Sequence, residues 1–231
     1  FSNNTAITSV HIPASVISIG QKISGWRAEE SASYGTFDGA TNLSSVTFAA
    51  NSNLETIGTG AFANLPNLQG ITLPDSLRFI ESGAFGDSSG LQSIHIPASV
   101  ERIGTVGDNN WGAFDCTYVT SSLTSITFAA NSSLEEIGDW TFHMGVFTSI
   151  EIPASVTTIG SSAFDGCTSL ASVSFTAGSE LETIGSGTFE GAALTTIAIP
   201  SSVTEIGSYA FYQCSALASV TIPAFVTDIG G

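Results

Sequence analysis

The chain has 231 residues, with 4 Lys and Arg against 20 Asp and Glu, a formal net charge of −16. One Lys and three Arg cannot build the basic face that nucleic-acid phosphates require, and the same deficit argues against docking on anionic lipid. No run of about 18 apolar residues is present, so direct membrane insertion as a spanning helix is excluded, while 42% apolar content and 10% aromatics argue against disorder. Ser and Thr make up roughly a quarter of the chain, so the expected surface is hydroxyl and carboxylate, which favours solubility without naming a partner.

Self-comparison reveals a repeat. Ile-Gly recurs at Ile19-Gly20, Ile57-Gly58, Ile103-Gly104, Ile137-Gly138, Ile159-Gly160, Ile184-Gly185, Ile206-Gly207 and Ile229-Gly230, with Ile80-Glu81 as a variant. In chain order, a short alternating strand ends at Pro13 and leads to Ile19-Gly20. A first insertion, at about 21–35, then carries Trp26, Arg27 and Tyr34 before the register resumes at Phe37. Two units follow, with Phe62 and Phe85 behind their corners. The fourth begins at Leu91, Ile94 and Ile96 and runs through Pro97 to Ile103-Gly104. A second insertion, at about 105–122, carries Asp108, Trp111 and Tyr118 around Phe114. From Ser149 the period runs almost unbroken to Ile229-Gly230, with Phe142, Phe164, Phe189 and Phe211 each four residues behind a Gly.

The unit is L-x-x-I-x-I-P-x-S-V-x-x-I-G-x-x-A-F, and each part has a physical role. The Ile alternation is strand period with one face inward. The Pro lacks an N–H and stops the ladder, the Gly permits a tight corner, and the Phe fills the far side of the core. One unit cannot bury its own apolar face, so neighbours must stack. Three units are longer: Phe48-Ala-Ala-Asn-Ser-Asn-Leu54, Phe128-Ala-Ala-Asn-Ser-Ser-Leu134 and Phe175-Thr-Ala-Gly-Ser-Glu-Leu181 replace the last strand Ile with Phe and lose the Pro. Each reads as a wider corner, not a site.

These residues resemble the BspA-type leucine-rich repeat, also called the Treponema pallidum type, whose pattern covers nearly the whole chain apart from the insertions. The resemblance implies a single β-rich leucine-rich-repeat solenoid domain over 1–231. It would have about nine coils, a parallel concave sheet from L-x-x-I-x-I, and short turns or 3-10/helical corners on the convex side. It further implies a secreted or surface-attached, non-enzymatic protein for adhesion or protein–protein binding. The chain stops at Ile229-Gly230-Gly231, before the expected Ala-Phe and without a polar cap, so it reads as part of a longer protein.

Two surfaces are candidates. The loop edge comes first: the two insertions leave the repeat at the same corner, and Trp and Tyr are favoured interface anchors. Its partner-binding residues are Trp26, Arg27, Tyr34, Asp108, Trp111 and Tyr118. The concave face is second choice, through His11, Thr47, Thr72, His95, Thr127 and Glu151. The neighbouring column (Ser9, Ser45, Gly70, Ser93, Ser125) is uniformly small, as close strand stacking requires. Trp140 and Tyr209 occupy equivalent slots before the Phe and are expected half-exposed and structural. On the convex side, Arg78 is expected between Glu55 and Glu101, and Arg102 facing Glu136.

Catalytic constellations are absent. Gly58-Thr59-Gly60-Ala61-Phe62-Ala63 imitates a dinucleotide loop, but it is the Ile-Gly-x-x-Ala-Phe corner, so no cofactor is implied. His11, His95 and His143 are too scattered for a metal cluster. Cys167 and Cys214 fall three residues after the Phe, Cys116 falls close to the same slot, and all three are expected as buried free thiols. Sequons at Asn3, Asn42 and Asn131 matter only in a secreting eukaryote. The expected role is an extracellular or cell-surface binding and adhesion module for a protein or glycoprotein ligand. The alternative is a structural accessory subunit docked in a larger assembly.

Overall fold

The computed structural model describes residues 1–20, 35–107 and 111–231. Two series of parallel strands alternate along the chain. The long series is β1 (Ser9–Ile12), β3 (Ser45–Phe48), β5 (Gly70–Thr72), β7 (Ser93–Ile96), β9 (Ser125–Phe128), β11 (Ser149–Ile152), β13 (Ser172–Phe175) and β15 (Thr196–Ile197). The short series has two residues per strand and ends on each Ile: β2 (Ser18–Ile19), β4 (Thr56–Ile57), β6 (Phe79–Ile80), β8 (Arg102–Ile103), β10 (Glu136–Ile137), β12 (Thr158–Ile159), β14 (Thr183–Ile184), β16 (Glu205–Ile206) and β17 (Asp228–Ile229). The corners between them are turns, and no helix occurs among the described residues.

The short series carries the continuous sheet. Its nine strands pair in chain order from β2 to β17. The long series, expected to form one sheet, is divided into β1-β3, β5-β7-β9 and β11-β13-β15. Both interruptions follow a long corner, after Phe48 and after Phe128. The equally long corner after Phe175 leaves β13 and β15 paired, so corner length alone does not set the break.

A column of phenylalanines runs through the stack. Phe1, Phe37, Phe62, Phe85, Phe114, Phe142, Phe164, Phe189 and Phe211 lie ring on ring, with centroids 5.0 to 5.6 Å apart and planes within 22°. The backbone sets this step. The N–H groups of Phe142, Phe164 and Phe189 donate to the carbonyls of Ala163, Thr188 and Ala210 in the next coil, each at 2.8 Å. Opposite the column, the strand Ile and Leu residues close a single apolar core. Phe1, at the head of the column, carries no repeat signal around it and was not legible as part of the stack.

Two sequence expectations are corrected. The Gly after Ile holds a left-handed bend at Gly20 and Gly104, with φ of 77° and 72°, but in later coils it is needed for close approach. A Cβ on Gly185 would lie 2.6 Å from Gly160 C, and one on Gly207 would lie 2.4 Å from Ser186 N, both in the preceding coil's backbone. Arg102 does not bond Glu136, although their strands are in register. It bonds the buried Glu81 at 3.0 and 3.2 Å, and its guanidinium also donates to Gly104 O and Thr105 Oγ1, both at 2.7 Å. Glu81 stands where other coils have Gly, so its carboxylate enters the corner and takes the nearest cation. Glu136 Oε1 accepts from Val106 N instead, at 2.9 Å. Arg78 does pair with Glu101, at 2.8 and 3.0 Å.

Two substitutions test this packing. Phe164→Ala removes a fully buried ring from the middle of the column and should cost about 3–5 kcal/mol in chemical denaturation. Arg102→Ala removes the guanidinium that bonds the buried Glu81 and should cost about 3 kcal/mol, with Glu81→Gly/Arg102→Ala recovering most of the loss because Gly is the repeat's own choice there.

Candidate functional site

The insertion edge is built on the corner around Phe114. Trp111 is half-buried, with its ring laid against the backbone at Gly86, where a Cβ would come within 3.2 Å of Trp111 Cε3. Tyr118 packs on Trp111 with centroids 5.2 Å apart and planes tilted by 39°, and remains 64% exposed. Its backbone N–H donates to Asp87 Oδ1 at 3.1 Å, which ties this part of the second insertion to the neighbouring coil. Val106 and Val119 are also exposed on this segment. Trp26, Arg27, Tyr34 and Asp108 lie outside the described residues. Of the six loop-edge residues, the structure therefore brings Trp111 and Tyr118 together.

The corner beneath is acidic and partly desolvated. Asp87 and Asp115 are buried, and burial pushes the Asp87 carboxyl above the ordinary carboxylate range, with a smaller push from Asp115. Asp38, two coils earlier in the same region of the repeat, is raised by burial too, although Asn64 Nδ2 donates to it at 2.8 Å. Asp115 is held by His143 Nδ1 at 2.8 Å and by the Thr117 hydroxyl at 2.7 Å. Among the described residues, no group of three or more His, Cys, Asp or Glu is placed to hold a metal ion.

The second candidate is the long-strand face. The expected columns exist in segments: His11 pairs in register with Thr47, Thr72 with His95, His95 with Thr127, and Glu151 with Ser174. Both histidines are bound the same way, His11 Nδ1 to Thr47 Oγ1 at 3.0 Å and His95 Nδ1 to Thr127 Oγ1 at 2.9 Å. The interruptions of the long series separate Thr47 from Thr72 and Thr127 from Glu151. Gly70 leaves open space in the small column, and a recess of about 390 Å³ forms there beside Thr72 and His95.

The wider corners do more than turn the chain. Recesses of about 460, 620 and 560 Å³ open beside Phe48, Phe128 and Phe175, each against the Pro-bearing corner of the next coil. Their regular recurrence marks them as products of the long corner. Sequence reasoning did not find these hollows, because a two-residue insertion signals length and not shape.

The thiols are inert in this fold. All three are buried and unpaired with each other. Burial raises Cys116 to about 11 and moves Cys167 and Cys214 upward as well. A thiol becomes nucleophilic as thiolate, so none is poised for chemistry at neutral pH.

A family model described as BspA type Leucine rich repeat region matches this chain in six copies, over residues 30–145, 112–178 and 135–231. Similar solved structures include the pneumococcal vaccine antigen PcpA, at 23% identity and TM-score 0.51, covering 95% of this chain and 51% of that one. A leucine rich cell surface protein from Faecalibacterium prausnitzii is 22% identical with TM-score 0.42, covering 96% of this chain and 74% of that one. A leucine-rich repeat protein from Bacteroides ovatus is 22% identical with TM-score 0.42, covering 100% and 76%. The chain thus spans about half the length of PcpA. No curated protein matches the chain.

The raised aspartates make a pH prediction. A carboxyl whose folded-state value lies above its unfolded one binds protons more tightly when folded. Its contribution is fully present below the unfolded value near 3.8 and is lost as pH rises through the folded value. The melting temperature should therefore rise as pH falls from 7 toward the ordinary carboxylate range, and Asp87→Asn should flatten that rise in a thermal-melt series.

Proposed function

The chain belongs to the BspA-type leucine-rich repeat family, and from that premise we propose that it is a non-enzymatic extracellular or cell-surface module for binding and adhesion. It engages a protein or glycoprotein partner through the loop edge. The observation that carries this reading is the Trp111–Tyr118 pair: one ring is pinned on a neighbouring coil and the other stands 64% exposed beside it. A large aromatic held rigid at a solvent edge loses little entropy on binding, which is why such rings dominate interface energetics. Trp26, Arg27, Tyr34 and Asp108 belong to the same proposed edge by sequence position.

The non-enzymatic part rests on the form of the surface. Catalysis uses an enclosed site where titratable groups converge on a reacting atom. Here the recesses are open hollows between coils, and Asp38 and Asp87, both raised by burial, are engaged by Asn64 and by the Tyr118 backbone. The long-strand face, with His11, Thr47, Thr72, His95, Thr127 and Glu151, is the second binding surface in this proposal.

The test is capture from native extract by wild type and by Trp111→Ala/Tyr118→Ala. Losing a hot-spot aromatic costs about 2 kcal/mol or more, so the double variant should bind its captured partner roughly 30-fold more weakly or worse. Undiminished capture would remove the loop edge and pass the role to the long-strand face. Stoichiometric recovery of one fixed set of partners, stable to salt, would instead mark a subunit of a larger assembly.

A further inference from the structure

The corner edge continues past Trp111 and Tyr118 into coils that the proposed loop edge does not include. Two columns run side by side there. The residue two before each Phe donates its N–H to the next coil, from Trp140 to Ser161 O, from Ser162 to Ser186 O and from Gly187 to Ser208 O. This aligns Trp140, Ser162, Gly187 and Tyr209. The residue after each Phe forms the second column: His143, Asp165, Glu190 and Tyr212. Aromatic rings stand at both ends. Trp140 packs edge-on against His143 with centroids 4.9 Å apart, and Tyr209 edge-on against Tyr212 at 5.6 Å. Tyr209 is 61% exposed and Tyr212 49%. Between the aromatic ends the columns carry small residues and two carboxylates.

The backbone shows that these rings are not the corner's default choice. Trp140 and Tyr209 hold φ of 56° and 60°, in the left-handed region that favours glycine. Equivalent corners of other coils use Gly60, Gly83 and Gly187, at φ of 64°, 70° and 61°. Bulky aromatics kept in strained positions, and presented at the surface, are the kind of outlier that points to a binding role. The charge between them names the ligand. From Ile103 to Gly231 the chain has 12 Asp and Glu and no Lys or Arg. Burial pushes the Asp165 carboxyl upward, the charge of Glu190 adds to the push, and His143 opposes it. His143 Nε2 lies 3.9 Å from Asp165 Oδ2, and a cation placed between Asp165 and Glu190 would relieve their repulsion with aromatic rings in the coils on either side.

We propose that the strip from Trp140 to Tyr212 docks an extended Lys- or Arg-rich polypeptide segment, with Asp165 and Glu190 pairing its charges and the flanking rings stacking on its cationic side chains. Phe centroids step by 5.5, 5.4 and 5.6 Å across these coils, roughly 16 Å in all. About five residues of extended chain, at about 3.3 Å each, span that distance. The inference deepens the binding role proposed above, but it uses residues of its own.

The experiment is titration of wild-type protein with a nine-residue oligoarginine peptide, followed by Trp fluorescence and calorimetry at low and high salt. Binding should weaken as salt rises. Trp140→Gly/Tyr209→Gly should lower affinity at least tenfold while melting no earlier than wild type, because Gly suits both corners. Asp165→Asn/Glu190→Gln should also weaken binding and reduce its salt dependence, whereas Trp111→Ala/Tyr118→Ala should leave peptide affinity unchanged. The inference is overturned if wild type ignores the peptide, if the glycine variant binds it undiminished, or if a neutral oligosaccharide binds the strip in its place. Peptide failure beside intact loop-edge capture removes the strip alone; loss of capture with intact peptide binding removes the loop edge alone.

Discussion

The coil-to-coil step is the constraint from which the rest of this molecule follows. Corner amides donate across to the next coil at about 2.8 Å, and this holds the phenylalanine rings flat on one another at 5.0 to 5.6 Å. Anything on the axis of that contact must be thin. Hence Gly185 and Gly207 lie where even a methyl group would meet backbone, and Ser, Thr or Gly fill the outer column of the long strands. A coil removed from the stack would leave Phe rings, strand Ile residues and half its corner amides facing water. Stability is therefore a property of neighbouring pairs of coils, as in other one-dimensional folds.

A core consumed in this way leaves function to the outside. Among the described residues, the strand Ile and Leu side chains and the Phe column face inward and close on one another in one core. Three kinds of surface remain: the continuous short-strand sheet, the segmented long-strand face, and the corner edge. The first is organised by charge, with Arg78–Glu101 across one coil step. The second is small and hydroxylated, with two histidines tied to threonines. Among the described residues, the corner edge carries the exposed rings of Tyr118, Tyr209 and Tyr212. Stacking repeats a slot at every coil, so a few substitutions along one slot convert a structural corner into a lane.

Departures from the repeat are informative because the repeat defines what each slot requires. Glu81 replaces a Gly and survives burial because Arg102 on the next coil completes it. Thr141 and Thr188 replace Ala before the Phe, and their hydroxyls bond Gly138 O and Gly185 O at 2.8 Å, so burial leaves no unmet donor. Trp140 and Tyr209 differ in kind. They gain no such local completion of the corner and hold a backbone conformation that costs a bulky residue energy. The first group maintains the fold, and the second is explained by what it presents to solvent.

The period alone determined the solenoid, its parallel strands and the inward Ile and Phe. A spacing of Ile, Gly and Phe at fixed offsets admits one way of stacking, and that logic is written in one dimension. The buried thiols were legible for the same reason, since Cys167 and Cys214 share a slot that faces the core and Cys116 lies one residue from it. Tertiary structure decided the rest. Which sheet runs unbroken was decided by how successive coils pack, since the long corners after Phe48 and Phe128 precede breaks and the one after Phe175 does not. Arg102 bonds Glu81 and not Glu136, which faces it in strand register, because side-chain reach in a tight corner outweighs column position. The place of Trp111, laid on Gly86 and carrying Tyr118, required the corner itself, since an insertion's sequence gives its composition but not the surface it folds against.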